Sequence, residues 1–251
     1  MLSFADLMRR AEADPAVVGA VLSGSKARDG MATEHSDYDV YLIIADGVEP
    51  GWQPVRTPEL DLDWMSLSAF RRYALPGEPE DWDRYAFVHA KILIDRADIA
   101  AIVHRKARLT SKEAHNLTAG ALDAYINSAY RAAKNRRDGR TLAAHLDAAD
   151  SIAHLLTVIF ALHRRVRPFN KFLEWELRRH PLAAPRWSAD NLLPRLENIV
   201  RNEDAPAQQS LFDEIEAATR TEFAKVLDGW DEDGGESDLT LLRSHGTVEA
   251  S

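Results

Sequence analysis

The sequence predicts an α+β fold in which an N-terminal half alternating strands with helical turns precedes a C-terminal half built of helices. Three observations carry that prediction. Short β-branched apolar runs recur over the first 108 residues. One of them, residues 59–67, alternates strictly between apolar and polar positions, the period of a half-buried strand. From residue 111 onward apolar residues return every three or four positions, the period of a helix with one buried face.

Taken in order, "MLSFADLMRRAEAD" lacks the basic-then-apolar order of a secretory leader and reads as a short amphipathic helix. "AVVGAVLS" (16–23) is apolar, β-branched and short, ends at Gly24, and predicts a buried strand. "DVYLIIAD" (39–46) predicts a second strand, closed by the turn-rich "DGVEPGWQP". "ELDLDWMSL" (59–67) sets Leu60, Leu62 and Trp64 on one face and Asp61, Asp63 and Met65 on the other. "AKILIDR" (90–96) predicts a fourth strand, and "SAFRRYAL" and "DWDRYAFVHA" predict helical turns between strands. The helical half runs through "SKEAHNLTAGALDAYINSAYRAAKNRR", "TLAAHLDAADSIAHLLTVIFALHRR", "NKFLEWELRRHPL" and "SLFDEIEAATRTEFAKVLDGW". Glu113 stands in the first turn of the first of these, where the helix dipole favours an acid. Domain boundaries are expected at 1–108 and 109–230, with an acidic mobile tail over 231–251.

Composition narrows the function. At 251 residues, 45% hydrophobic and 28% charged, the chain has an ordinary globular profile. Absence of cysteine excludes disulfides and thiolate metal sites and agrees with a cytoplasmic location. No apolar run near 18 residues is evident, so no membrane-spanning helix is expected. A net charge of −9 argues against a surface made to wrap nucleic acid.

The chemistry concentrates in "LSGSKARDGMATEHSDYDVYL" (22–42). Asp is a poor strand former, yet Asp37 and Asp39 open an apolar strand with one residue between them. Side chains two apart on a strand share a side at a spacing of about 7 Å. Carboxylates that close raise each other's pKa unless a cation sits between them. Oxygen-only donors of this kind suit Mg²⁺. A third acid, Asp61 or Asp63, would converge with them if its strand neighbours theirs. Two metals held so could clamp the attacking and leaving oxygens of a phosphoryl transfer, with the third carboxylate as base for an incoming hydroxyl. Gly24 at the strand-to-helix turn lets backbone amides approach phosphate closely, and Ser25 adds a hydroxyl donor. Each piece alone is common; the ordered combination is not.

"GSKARDG…SDYDVYLI" resembles the signature of the nucleotidyltransferase superfamily that includes DNA polymerase β, the kanamycin and streptomycin nucleotidyltransferases and the minimal nucleotidyltransferases: Gly-Ser, a variable stretch, then Asp-h-Asp-h with h apolar. Gly24, Ser25, Asp37 and Asp39 meet it, with Val40 and Leu42 as buried positions. The resemblance spans residues 15–100 and implies a small mixed sheet with flanking helices and a helical domain that closes over nucleotide and acceptor. It also implies Mg²⁺, two ions by analogy, with ATP or another nucleoside triphosphate as co-substrate. Within it Asp61 takes the third acid's role and Asp63 is the fallback. "GSKAR" makes Arg28 a candidate phosphate contact, and "RPFNK" makes Lys171 a candidate triphosphate contact. Lys134, one turn after Tyr130 in "RAAKNRRDGR", is a further candidate nucleotide contact, although a basic cluster at a helix end is mostly a solvated feature. Arg140 and His145 match the Arg-x4-His spacing of ribonucleases of the HEPN group, a spacing that arises readily by chance. The remaining histidines show no metal-ligand spacing.

The expected activity is Mg-dependent transfer of a nucleoside monophosphate, AMP from ATP, to a hydroxyl of a small acceptor, an aminoglycoside-like cation in view of the acidic chain, with release of pyrophosphate. The alternative is a toxin–antitoxin or regulatory nucleotidyltransferase that binds or modifies a partner protein.

Overall fold

The computed structural model describes residues 2–49, 51–231 and 238–244. The chain divides into two compact units, Met1–Leu109 and Thr110–Ser251.

The first unit opens with α1 (Phe4–Ala13), whose N-cap Ser3 accepts a hydrogen bond from the Asp6 amide. Leu7 and Ala11, one turn apart, form its buried stripe. Five strands follow: β1 (Val17–Leu22), β2 (Tyr38–Ile44), β3 (Val55–Arg56), β4 (Leu60–Ser66) and β5 (Lys91–Asp95). They form one sheet in the order β3-β4-β2-β1-β5. β2 and β4 run parallel, and every other neighbouring pair is antiparallel. The sheet is therefore mixed, as the resemblance implies.

Strand alternation gives the sheet two buried faces. Val40, Leu42, Ile44, Leu60 and Leu62 join Leu7 and Ala11 on one side. Ile43 and Val21 lie on the other, packed against Phe70 of α2 (Leu67–Arg72), Phe87 of a 3₁₀ segment (Asp81–Phe87), and Ile99 and Val103 of α3 (Ile99–Lys106). Phe70 and Phe87 are fully buried, each stabilising the fold by roughly 1.5–3 kcal/mol relative to exposure. The "DGVEPGWQP" segment is anchored as well as turned. Trp52 is buried, and its indole N–H donates to Asp14 at 2.8 Å.

Two elements of this unit escape the sequence reading. β3 is two residues long, too short for any periodicity to show. α3 follows a left-handed Asp98, and Asp95 accepts hydrogen bonds from its first two amides, so its cap stands outside the expected position.

The second unit is helical: α4 (Ser111–Arg137), α5 (Thr141–Leu162), α6 (Leu173–Arg179), α7 (Ala189–Asn202), α8 (Ala205–Thr219), α9 (Ala224–Asp231) and α10 (Asp238–Arg243). The N-cap of α4 is Thr110, and it forms a full capping box with Glu113. Buried alanines at 129, 132, 133, 144 and 148 allow α4 and α5 to approach closely. Leu122, Ile126, Phe160, Trp187, Leu211 and Phe212 fill the remainder of this core.

The helices differ here from those expected. α7 has no counterpart in the sequence reading, and the single helix expected over 210–230 is α8 plus α9, broken between Thr219 and Ala224. α5 is long and apolar enough, by length and composition alone, to cross a membrane, with an 18-residue window of mean hydropathy 1.3. Asp147 and Asp150 interrupt it early, and Ala148, Leu155, Ile159 and Phe160 are part of the unit's core. The tail expected to be mobile over 231–251 falls largely outside the described residues. Its described part, α10, buries Leu239 and Leu242 in that same core.

Candidate active site

β1 ends at Leu22, and the Ser23 amide still donates to the Asp39 carbonyl at 2.8 Å. The chain then turns at Gly24 with φ 65° and ψ −156°, a conformation that glycine adopts without strain. A Cβ on Gly24 would stand 1.7 Å from Asp39 Oδ2. Gly24 is thus required twice, by its backbone and by the carboxylate lying against it. Ser25, buried, begins a single 3₁₀ turn, Ser25–Ala27.

The acids converge through register. Asp39 of β2 lies directly opposite Asp61 of β4 in the parallel pair, and Asp37 precedes β2 by one residue. One carboxylate oxygen from each of Asp37, Asp39 and Asp61 lies within 4.8 Å of the other two, and all three residues are half-buried. Asp63 points to the same side but faces Tyr41 in register, outside that group of three. Its carboxylate takes a hydrogen bond from Arg56 Nη2 at 2.6 Å.

Arg56 comes from the unforeseen edge strand β3, where it pairs with Asp61 in register and forms ion pairs with both Asp61 and Asp63. Burial pushes the Asp61 carboxyl above the usual range. The Arg56 guanidinium pulls it down, Asp63 and Asp37 push it up, and the balance is upward.

Arg28 does not stand as a ready phosphate contact. It is 2% exposed, and its guanidinium donates to the carbonyls of Gly24 (2.7 Å), Tyr85 (3.1 Å) and Val88 (2.7 Å). Arg28 ties the Gly24 turn to the 3₁₀ segment behind it. The other cation on that turn is Lys26, which the sequence reading passes over. Its ammonium lies 3.7 Å from the centroid of Tyr38, the residue between the two aspartates, and Tyr38 stacks on Phe4 at 4.0 Å. The signal for it was present: a lysine directly after Gly-Ser and an aromatic ring between the acids.

Deeper on the same sheet face is a second polar cluster. Asp83 Oδ2 accepts hydrogen bonds from Tyr41 (2.7 Å) and Tyr73 (2.9 Å). Burial pushes the Asp83 carboxyl up, and the two hydroxyls oppose that shift. Lys106, fully buried, donates to the Tyr73 carbonyl and lies 4.9 Å and 5.2 Å from the Phe70 and Phe87 ring centroids. Burial pushes its ammonium pKa down to about 8.

In the helical unit Lys134 is exposed, its ammonium 5.8 Å from the Tyr130 ring centroid. Lys171 is exposed on the turn Asn170–Phe172. Arg140 and His145 face different acids, Asp138 and Glu203, so their spacing assembles no shared site.

No family model matches the chain, and neither does any curated relative. Among solved structures it is similar to a nucleotidyltransferase-like protein from Exiguobacterium sibiricum 255-15. The two share 15% identity and a TM-score of 0.44 over 94% of this chain and 84% of that one. Likeness at that distance does not bear on chemistry, which rests on the acids and the turn beside them.

Proposed function

We propose that the N-terminal unit is the catalytic centre of a Mg²⁺-dependent nucleotidyltransferase, with AMP moved from ATP to a hydroxyl of a small acceptor. One observation carries this reading: three carboxylate oxygens lie within 4.8 Å of one another beside a glycine turn that only a bare Cα permits. The donor set fits the metal. All three ligands are hard oxygens, as Mg²⁺ prefers, and three anionic groups this close repel unless cations offset them. When bound, the metal would neutralise charge developing on the phosphate oxygens.

The residues divide the remaining work. Asp37, Asp39 and Asp61 hold the cation. Asp61, its proton affinity raised by burial, accepts the proton of the acceptor hydroxyl. The hydroxyl oxygen bonds to the α-phosphorus, the bond from that phosphorus to the bridging oxygen breaks, and pyrophosphate leaves with the electron pair. Amides of the Gly24-Ser25 turn and the Ser25 hydroxyl contact the outgoing phosphates, with Lys26 as the adjacent cation. Arg28 holds the turn rigid. Lys171 and Lys134 are assigned as further nucleotide contacts of the helical unit. Asp63 parks Arg56, so that the guanidinium is not spent on Asp61 alone. A net charge of −9 favours a small cationic acceptor, aminoglycoside-like, in the cytoplasm.

Isothermal titration with a non-hydrolysable ATP analogue tests this. Binding should require Mg²⁺ and vanish in the Asp37→Ala/Asp39→Ala variant. No binding under any metal condition would overturn the enzyme reading.

A further inference from the structure

The helical unit carries a groove that the proposed chemistry does not use. It lies among α5, the turn before α6, and α7, and holds a cavity of about 380 Å³ that opens to solvent. Small-molecule sites typically occupy roughly 300–1,000 Å³ and are mostly apolar with a few polar groups. Ile152 and Leu156 from α5, Leu173 from α6, and Leu196 and Val200 from α7 make its apolar lining. Val200 is 57% exposed, a large side chain left facing water.

Arg167 stands in the same lining. Its Nη2 donates to the neutral Asn170 side chain at 2.8 Å, and its Nε is buried with no hydrogen-bond partner. Among the described residues no carboxylate pairs with it, and burial alone pulls its pKa down. The other charged pair at the groove, Arg201 and Glu197, satisfies itself at 2.9 Å. A half-buried arginine without an ion pair of its own can take an incoming anion, for which the guanidinium fork is shaped.

We propose that this groove binds a small organic acid whose apolar body lies along α5 and α7 and whose carboxylate pairs with Arg167. The site is built from residues of the helical unit alone.

The probes are octanoate, octan-1-ol (the body without the charge) and butyrate (the charge with little body), titrated into the full chain by calorimetry. Octanoate should bind one to one and at least tenfold more tightly than either control. Arg167→Leu should weaken octanoate at least tenfold and leave octanol unchanged. Ala153→Trp, which fills the groove, should abolish both. The Asp37→Ala/Asp39→Ala variant should bind octanoate like the parent chain, so failure of the metal site and failure of the groove read out separately. If Arg167→Leu does not fold, judged by its circular dichroism melt, the octanoate-to-octanol ratio and the Ala153→Trp result still decide. No octanoate binding at about 5 mM, equal affinity for octanoate and octanol, or octanoate binding that survives Ala153→Trp would overturn the proposal.

Discussion

Two sets of carboxylates sit on one face of one sheet and are treated in opposite ways. Asp83 is buried, and two tyrosine hydroxyls satisfy one of its oxygens. Neutral donors settle that charge within the fold. Asp37, Asp39 and Asp61 are only half-buried and turn their oxygens toward each other, with Arg56 from an edge strand as the cation paired to Asp61. Tyr41 lies two residues beyond Asp39 on β2, so a single strand serves both clusters. The buried acid is given donors, whereas the acids to which the proposed function assigns a metal are given one another.

The largest effect that would break this contrast is on turnover. Asp39→Ala should reduce pyrophosphate release at least about 10³-fold, or about 4 kcal/mol of barrier, while the circular dichroism melt stays within a few degrees. Activity within tenfold of the parent would remove the metal assignment. Next comes the buried side. Because the Lys106 pKa is depressed, the folded chain binds fewer protons than the unfolded chain between pH 8 and 10.5, so this group's contribution to stability rises with pH across that window. Below it the full penalty stands, on the order of 3 kcal/mol. The difference in stability between the parent and Lys106→Met, measured by urea unfolding at pH 7.5 and 9.5, should therefore shift in the parent's favour as pH rises. A difference that does not move with pH would mean that the lysine stays charged in its pocket.

Gly24→Ala probes the contact between turn and carboxylate. Its Cβ must displace Asp39 Oδ2 and adopt a positive φ, costing about 1–3 kcal/mol of stability and weakening Mg²⁺ binding in a direct titration. Stability lost without any change in Mg²⁺ affinity would separate the turn from the site. The smallest change sharpens the contrast: Asp83→Asn keeps an acceptor for the tyrosines, should cost about 1 kcal/mol, and should leave Mg²⁺ affinity unaltered. A tenfold loss of that affinity would show the two clusters to be one.

Much of the first unit was legible because β-branched runs and Gly24 announce strands and their ends. The acids were legible because Asp opposes strand formation, so its presence at 37, 39 and 61 needed another cause. What stayed hidden depends on pairing. Preferring Asp61 over Asp63 from the residues alone requires the register of β4 against β2 and the position of Arg56 on β3, and neither has a local signature. Arg28 and Lys26 look alike in "GSKAR"; only the carbonyls of Tyr85 and Val88, far along the chain, separate a buried strut from an available cation. The break between α8 and α9 is a tertiary outcome as well, since local apolar spacing continues through it, and the packing of α10 is hidden behind the acidic run "DEDGGESD" (231–238).

The parallel pairing of β2 with β4 behaves as a parity check. The exposed turn after β2, before Trp52 and β3 tie the connection down, can lengthen or shorten at little cost, because loop entropy changes slowly with length. A slip of one residue within the pairing is different in kind. It would carry Asp61 to the leucine face and bring Leu60 or Leu62 opposite Asp39, erasing the site while preserving every strand. In descendants of this chain, insertions in the exposed turn at 47–49 should be tolerated, and those between 38 and 44 or 60 and 66 should be tolerated only in twos.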